Sequence, residues 1–236
     1  MEIIKSKVMF WAAGTNSSIT IGNEGKKTTI SGNVMAGGAA VTKIILGTAD
    51  SQITEKWTKN TNNISTTNGT LEIRGVQGAS VSTDFMQAIG GGSLTVTGTG
   101  MNVTVETTAV AADGKGASAV DVAQSSTATL GTAEGRLASL TVKGVGSGLL
   151  AENDVGNVGL SKGPDIYVAA DTVAVSASKG IGIWAAIDNV SAGADIKAPN
   201  INIDANRAKE RSVIISTTIF ALSPYIISGR VSALSS

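Results

Sequence analysis

The chain has 236 residues, with 31 Ala, 29 Gly, 26 Thr and 25 Ser but only three Phe, three Trp and two Tyr. Its 18 basic and 18 acidic residues cancel, and Cys and His are absent. That excludes a disulfide framework, thiol chemistry, His-dependent triads and the common zinc sites, and it denies nucleic acid the basic face and stacking platforms it needs. With 42% hydrophobic residues the chain is too apolar for disorder, and its aliphatic bias suits a core of small, flat layers.

In chain order, Met1 to Gly14 carries Lys5 and Lys7 before a short apolar stretch. That stretch is shorter than the roughly 7–15 residues of a signal-peptide core, so a first strand is the better reading. Short segments of period two then follow, each bounded by Gly, Asn, Asp or Ser, and this alternation is the mark of strands. They are Ser18–Gly22, Thr70–Gly75, Ser93–Gly98, Asn102–Glu106, Ser118–Val122, Ser139–Gly144, Asp165–Val168, Thr172–Val175, Gly180–Ile183 and Asn200–Asp204. Residues 50–66 are more polar and read as a loop insertion. The best helix candidate, Thr132 to Leu140, is interrupted by Gly135. Beyond Asn206 come a charged patch, Arg207 to Arg211, and an apolar stretch, Val213 to Ile227, broken by Ser216, Thr217, Thr218, Ser223 and Pro224. No uninterrupted apolar run reaches the roughly 18 residues of a membrane span.

Three segments share one pattern: Thr-Leu-Glu-Ile-Arg-Gly from Thr70, Ser-Leu-Thr-Val-Thr-Gly from Ser93 and Ser-Leu-Thr-Val-Lys-Gly from Ser139. The first two start 23 residues apart and the last two 46, which is twice 23. Residues 116–121 hold the intermediate register, and the strand at Asp165 follows the next one, at 162. A period of this length without helices predicts stacked coils. The expected fold is all-β: a single-stranded parallel β-helix with rungs of roughly 23 residues, preferred over an antiparallel sandwich. Leu94, Val96, Leu140 and Val142 are predicted to face inward, with Thr and Ser outward and Gly, Asn and Asp at corners. Residues 1–206 form the solenoid in this reading and 207–236 a tail or incomplete cap. With no obvious polar cap at either end, the chain reads as a section of a longer protein or one whose tail covers the last rung.

The run from Asp165 to Val190, with Gly180-Ile181-Gly182-Ile183 leading into the next strand, resembles rungs of bacterial autotransporter passenger domains, as does Ala194 to Asp204 after it. The likeness extends over residues 65–206. It implies a right-handed β-helix on the outer surface of a Gram-negative cell or shed from it, acting as an adhesin. Its implied partners are a host surface glycan or protein and the outer-membrane barrel that translocates such passengers. The lack of Cys fits passage through a membrane unfolded. Neither a signal peptide nor a C-terminal barrel with aromatic girdles is read in the sequence, so the expected object is a passenger fragment.

Several residue groups have side chains that could carry chemistry. Carboxylate pairs for glycoside hydrolysis are available at Asp113 and Asp121, Asp165 and Asp171, and Asp188 and Asp195, but Asp at a rung corner is ordinarily turn chemistry. Glu152, Asp154, Asp165 and Asp171 offer oxygen ligands without an EF-hand or nonapeptide spacing. Gly22-Asn23-Glu24-Gly25-Lys26-Lys27-Thr28 is too short for a phosphate loop, and Gly144, Gly146 and Gly148 make a Gly-rich turn. Thr95, Thr97 and Thr99 form a row such as ice-binding solenoids present. The expectation is a chain with no catalytic residues, metal or cofactor. Trp57, flanked by Lys56 and Lys59 on the polar insertion, is the candidate ligand contact, because exposed aromatics on loops make good anchors. The alternatives are a β-helical polysaccharide-active enzyme and an ice-binding solenoid.

Overall fold

The computed structural model describes residues 2–4, 10–54, 64–110, 116–152, 164–179, 181–186, 193–197 and 200–205. The chain winds through three faces in turn. The first carries Glu2–Ile4, Thr28–Ile30, Gln52–Ile53, Ser80–Thr83, Asn102–Glu106, Leu137–Gly144, the second half of Asp165–Ala177, and Asn200–Ala205. The second carries Phe10–Ala13, Val34–Gly37, Ile64–Thr67, Met86–Ile89, Val120–Val122, Ser147–Glu152 and Ile181–Ala186. The third carries Ser18–Ile21, Val41–Leu46, Thr70–Gly75, Ser93–Thr97, Thr127–Leu130, the first half of Asp165–Ala177, and Gly193–Lys197. Each strand inside a face pairs in parallel with the strand one turn earlier and one turn later, and the end strands pair on one side. Among the described residues the one antiparallel contact is an isolated bridge from Val110 to Gly116. The protein is therefore all-β, with long parallel sheets wrapped as a solenoid of the β-helix kind, and the antiparallel sandwich is ruled out.

The period-two alternation drives this arrangement, since successive side chains of a strand point to opposite faces. On the third face one inward column runs Leu71, Leu94, Ala128, Ile166 and the next runs Ile44, Ile73, Val96, Leu130, Val168, all buried. Ile30, Ile53, Val81, Val103, Leu140 and Val173 form the matching column on the first face. Val34, Ile64, Met86, Val120 and Leu149 do so on the second. Each Val, Leu, Ile or Met among them contributes about 1.5–3 kcal/mol when fully buried. Leu94, Val96, Leu140 and Val142 all face inward, as their alternation predicts.

Corners carry the polar interior. There the backbone leaves the sheet ladder, and its N–H groups need other acceptors. Ser126 Oγ accepts from the amides of Gly91 and Gly92 on the preceding turn, each at 3.1 Å. Ser51 Oγ accepts likewise from Thr28 N at 3.0 Å and Thr48 N at 3.1 Å. Buried Thr42 interrupts an aliphatic column but donates its hydroxyl to the Met35 carbonyl at 2.9 Å. Two glycines show why these corners exclude larger residues. A Cβ at Gly98 would run into the carbonyl of Gly75 on the turn below. A Cβ at Gly131 would meet the Ala169 carbonyl, and its φ of 86° is one that L side chains rarely adopt.

The uniform period does not hold. Thr70 pairs with Ser93 at the expected step of 23, but Ser93 pairs with Thr127, a step of 34, and Asn102 with Ser139, a step of 37. Ser93 and Ser139 lie on the third and first faces, so their 46-residue spacing is not two turns of one column. Corners of unequal length absorb the difference. Two further expectations change. Residues 137–140 of the helix candidate belong to the strand Leu137–Gly144, where Gly135 closes a turn by donating its amide to Thr132 Oγ1 at 2.9 Å. The segments at Asp165 and Thr172 are one strand that bends from the third face to the first, with the small, buried Ala169 and Ala170 at the bend. Of the interval 50–66, Gln52–Ile53 and Ile64–Thr67 are strands, while 55–63 and the tail 207–236 lie outside the described residues.

Candidate functional site

Lys56, Trp57 and Lys59 lie outside the described residues, as do Asp113, Asp154 and Asp188. Asp171 sits at a corner, where its carboxylate accepts from Arg136 Nε at 2.8 Å; the same guanidinium donates to the Ala170 carbonyl at 2.7 Å. Asp165, its partner in one candidate pair, begins the strand on the third face. Among the described residues no three carboxylates gather as a metal site would require. Residues 22–28 form the corner between the third and first faces, with Gly25 N donating to Gly47 O at 3.1 Å. Gly146 N donates to Ala117 O at 3.0 Å across a corner between the first and second faces. Thr95 and Thr97 point outward beside Glu72 and Arg74, and Thr99 turns away to donate to the Glu134 carbonyl at 3.0 Å. The threonine row thus has charged neighbours on the adjacent turn.

Charges outside the solenoid pair between turns. Lys27 reaches Asp50 at 2.5 Å, Lys43 reaches Glu72 at 3.4 Å, and Lys143 reaches Glu106 at 3.5 Å. Stacked columns bring like charges together unless signs alternate, so these pairs favour one register, although exposed ion pairs add little stability. The hydrogen bond from Lys27, helped by one from Thr48 Oγ1 at 2.6 Å, holds the Asp50 carboxyl below its ordinary value of 3.8.

The second face differs from the other two in its outward column: Trp11, Met35, Ser65, Gln87, Asp121 and Leu150. Trp11 is exposed, as is Tyr167 on the third face. Gln87 Nε2 donates to Asp121 Oδ2 at 2.9 Å between register partners. Beside this pair lies a half-open depression of about 290 Å³, lined by Phe85, Met86, Gln87, Ala117, Ser118, Asp121 and Leu150. An insertion builds one of its walls. Along this face the step from Ile64 to Met86 is 22 residues, but that from Met86 to Val120 is 34. The added length lies between Glu106 and Val120, where Val110 and Gly116 form an antiparallel bridge and Ala117 and Ser118 line the depression. Sequence reasoning named Asp121 only as half of a carboxylate pair. The signal for the cavity was the spacing between strands of one face, which becomes readable only when faces are assigned.

No protein-family model, curated protein or solved structure matches this chain.

Proposed function

We propose that the chain is a right-handed β-helical passenger segment of an autotransporter, displayed on a Gram-negative surface as a non-enzymatic adhesin and delivered through an outer-membrane barrel. The observation that carries the reading is the stack of parallel coils with an aliphatic interior and turns of unequal length. A stiff rod of this kind needs only nearest-neighbour contacts between turns and holds variable loops away from the cell. The absence of Cys supports translocation as an unfolded chain. The test is to fuse the 236 residues upstream of an autotransporter barrel in a Gram-negative host. Expected are surface exposure to protease, a resistant core, and adherence of the cells to host tissue or immobilised glycans above that of cells displaying the barrel alone. Retention in the periplasm, or display without any gain in adherence, would count against it.

One observation favours a second reading, an ice-binding surface. Two outward columns of the first face, one of Thr29, Gln52, Ser80, Asn102, Ser139 and Thr172 and one of Ser82, Thr104 and Thr141, carry no charge, and the Glu106–Lys143 pair lies beside them. Thermal hysteresis that disappears in the double variant Thr104→Lys, Thr141→Lys would support this reading. Freezing behaviour equal to that of an inert protein would end it.

A further inference from the structure

We infer that Asn68 is a modification site, where ring closure onto Gly69 converts the asparagine to aspartate or isoaspartate once the corner between the second and third faces opens. Asn68-Gly69 is the one Asn-Gly pair of the chain, and it makes up the whole corner between Ile64–Thr67 and Thr70–Gly75. Glycine has no side chain to shield its amide nitrogen from the neighbouring carboxamide. Asn68 is exposed, with a φ of 53° that asparagine adopts more readily than most residues. In the reaction Gly69 N gives up its proton and bonds to Asn68 Cγ, and the side-chain nitrogen leaves with that proton as ammonia. Water then opens the five-membered imide. Attack at Cγ restores the ordinary chain with an aspartate. Attack at the residue-68 carbonyl carbon leaves Gly69 joined through Cγ, as isoaspartate.

The stacked corner holds this step off. Ring closure needs the peptide between Asn68 and Gly69 to rotate toward the side chain. Its carbonyl accepts from Ala39 N at 2.5 Å, and Asn68 N donates to Ile89 O at 3.0 Å. Gly69 O accepts from Thr66 Oγ1 at 2.7 Å and from Ser93 N at 2.8 Å. The corner is thus pinned to the turn before it, to the turn after it and to its own strand. Gly69 also lies against the preceding turn, where an added Cβ would stand 3.0 Å from the Ala36 carbonyl carbon and from Gly37 N. The modification therefore records opening of this corner. Its two products differ in fit. Aspartate tolerates the left-handed conformation, whereas isoaspartate adds a methylene to a backbone held between Ala39 and Ile89.

This inference stands apart from the adhesin reading, because it concerns a reaction of the purified chain. The experiment keeps the 236-residue protein in mildly alkaline buffer, folded and in urea, and follows its peptides by mass spectrometry. Isoaspartate is told from aspartate by enzymatic methylation of its free α-carboxylate. In urea Asn68 should change faster than any other asparagine. In the folded protein it should change more slowly by about tenfold or more, since several hydrogen bonds must open first. Thr66→Val removes one of those bonds and should raise the folded-state rate about fivefold, with the rate in urea unaltered. Asn68→Asp should keep the urea midpoint of the parent, whereas the purified isoaspartate form should unfold at lower urea. Circular dichroism confirms that each variant folds; if Thr66→Val does not, the two rates of the parent decide. Equal rates in the folded protein and in urea would overturn the proposal. So would a faster asparagine elsewhere in urea, a folded Thr66→Val that changes no faster than the parent, or an isoaspartate form as stable as the parent.

Discussion

Leu94 is fully buried, stacked between Leu71 below and Ala128 above on the third face. Shortening it to Ala would place two alanines in succession in that column and leave a void that parallel backbones fixed by their ladders cannot close. Buried Leu→Ala changes cost about 2–5 kcal/mol, the upper part applying where neighbours cannot collapse, so about 3 kcal/mol is expected. With a urea dependence of about 3 kcal/mol per molar for a chain of this size, the unfolding midpoint followed by circular dichroism should fall by about 1 M. Thr95→Ala, one residue along and facing outward, should stay within about 0.5 kcal/mol of the parent. Turns interact mainly with their neighbours, so amide exchange in Leu94→Ala should accelerate first in Thr70–Gly75, Ser93–Thr97 and Thr127–Leu130. Equal midpoints for the two variants would refute the inward assignment.

Gly98→Ala forces a methyl group against the Gly75 carbonyl of the adjacent turn and should cost about 1–3 kcal/mol, read as a lower midpoint in the same titration; parent-like stability would mean the corner is not so tightly stacked. Arg136→Ala removes the hydrogen bonds to Asp171 and the Ala170 carbonyl and should cost about 1 kcal/mol, with faster exchange confined to the bend of Asp165–Ala177; an unaltered exchange pattern would contradict it. Asp50, held below 3.8 chiefly by Lys27, has a lower pKa folded than unfolded. Its contribution is full above the unfolded value and disappears as pH falls through the folded one. Carboxyl NMR should show Lys27→Met moving the Asp50 midpoint up toward 3.8, and an unmoved midpoint would show that Lys27 is not the cause.

Much of the fold could be read from alternation alone. Leu94 and Val96, or Leu140 and Val142, are separated by polar residues, and a period of two leaves one physical choice of inward side. Which face a strand occupies was not legible, because that depends on corner length and corners vary freely on a solenoid surface. Ser-Leu-Thr-Val recurs at 93 and 139 because both strands solve the same inside-outside problem, although they lie on different faces. The bend at Ala169 and Ala170 looked like a turn between two strands; small side chains let the backbone turn the corner without leaving the ladder. The cavity was hidden for the same reason as the faces. Gln87 and Asp121 are 34 residues apart and become neighbours only once Met86–Ile89 and Val120–Val122 are assigned to one face.

The parallel stacking itself can be tested with disulfides, because the chain has no cysteine of its own. Thr95 and Thr129 are register partners on adjacent turns of the third face. Replaced together by Cys, they should cross-link on mild oxidation, since neighbouring strands lie about 4.8 Å apart, within the reach of a disulfide. Thr95 and Thr104 would face each other if Ser93–Thr97 and Asn102–Glu106 formed a hairpin, but here they lie on different faces. Rapid, complete cross-linking of the 95–129 pair with a free 95–104 pair is the expected result. The opposite pattern would mean that the strands run antiparallel and that the solenoid does not exist.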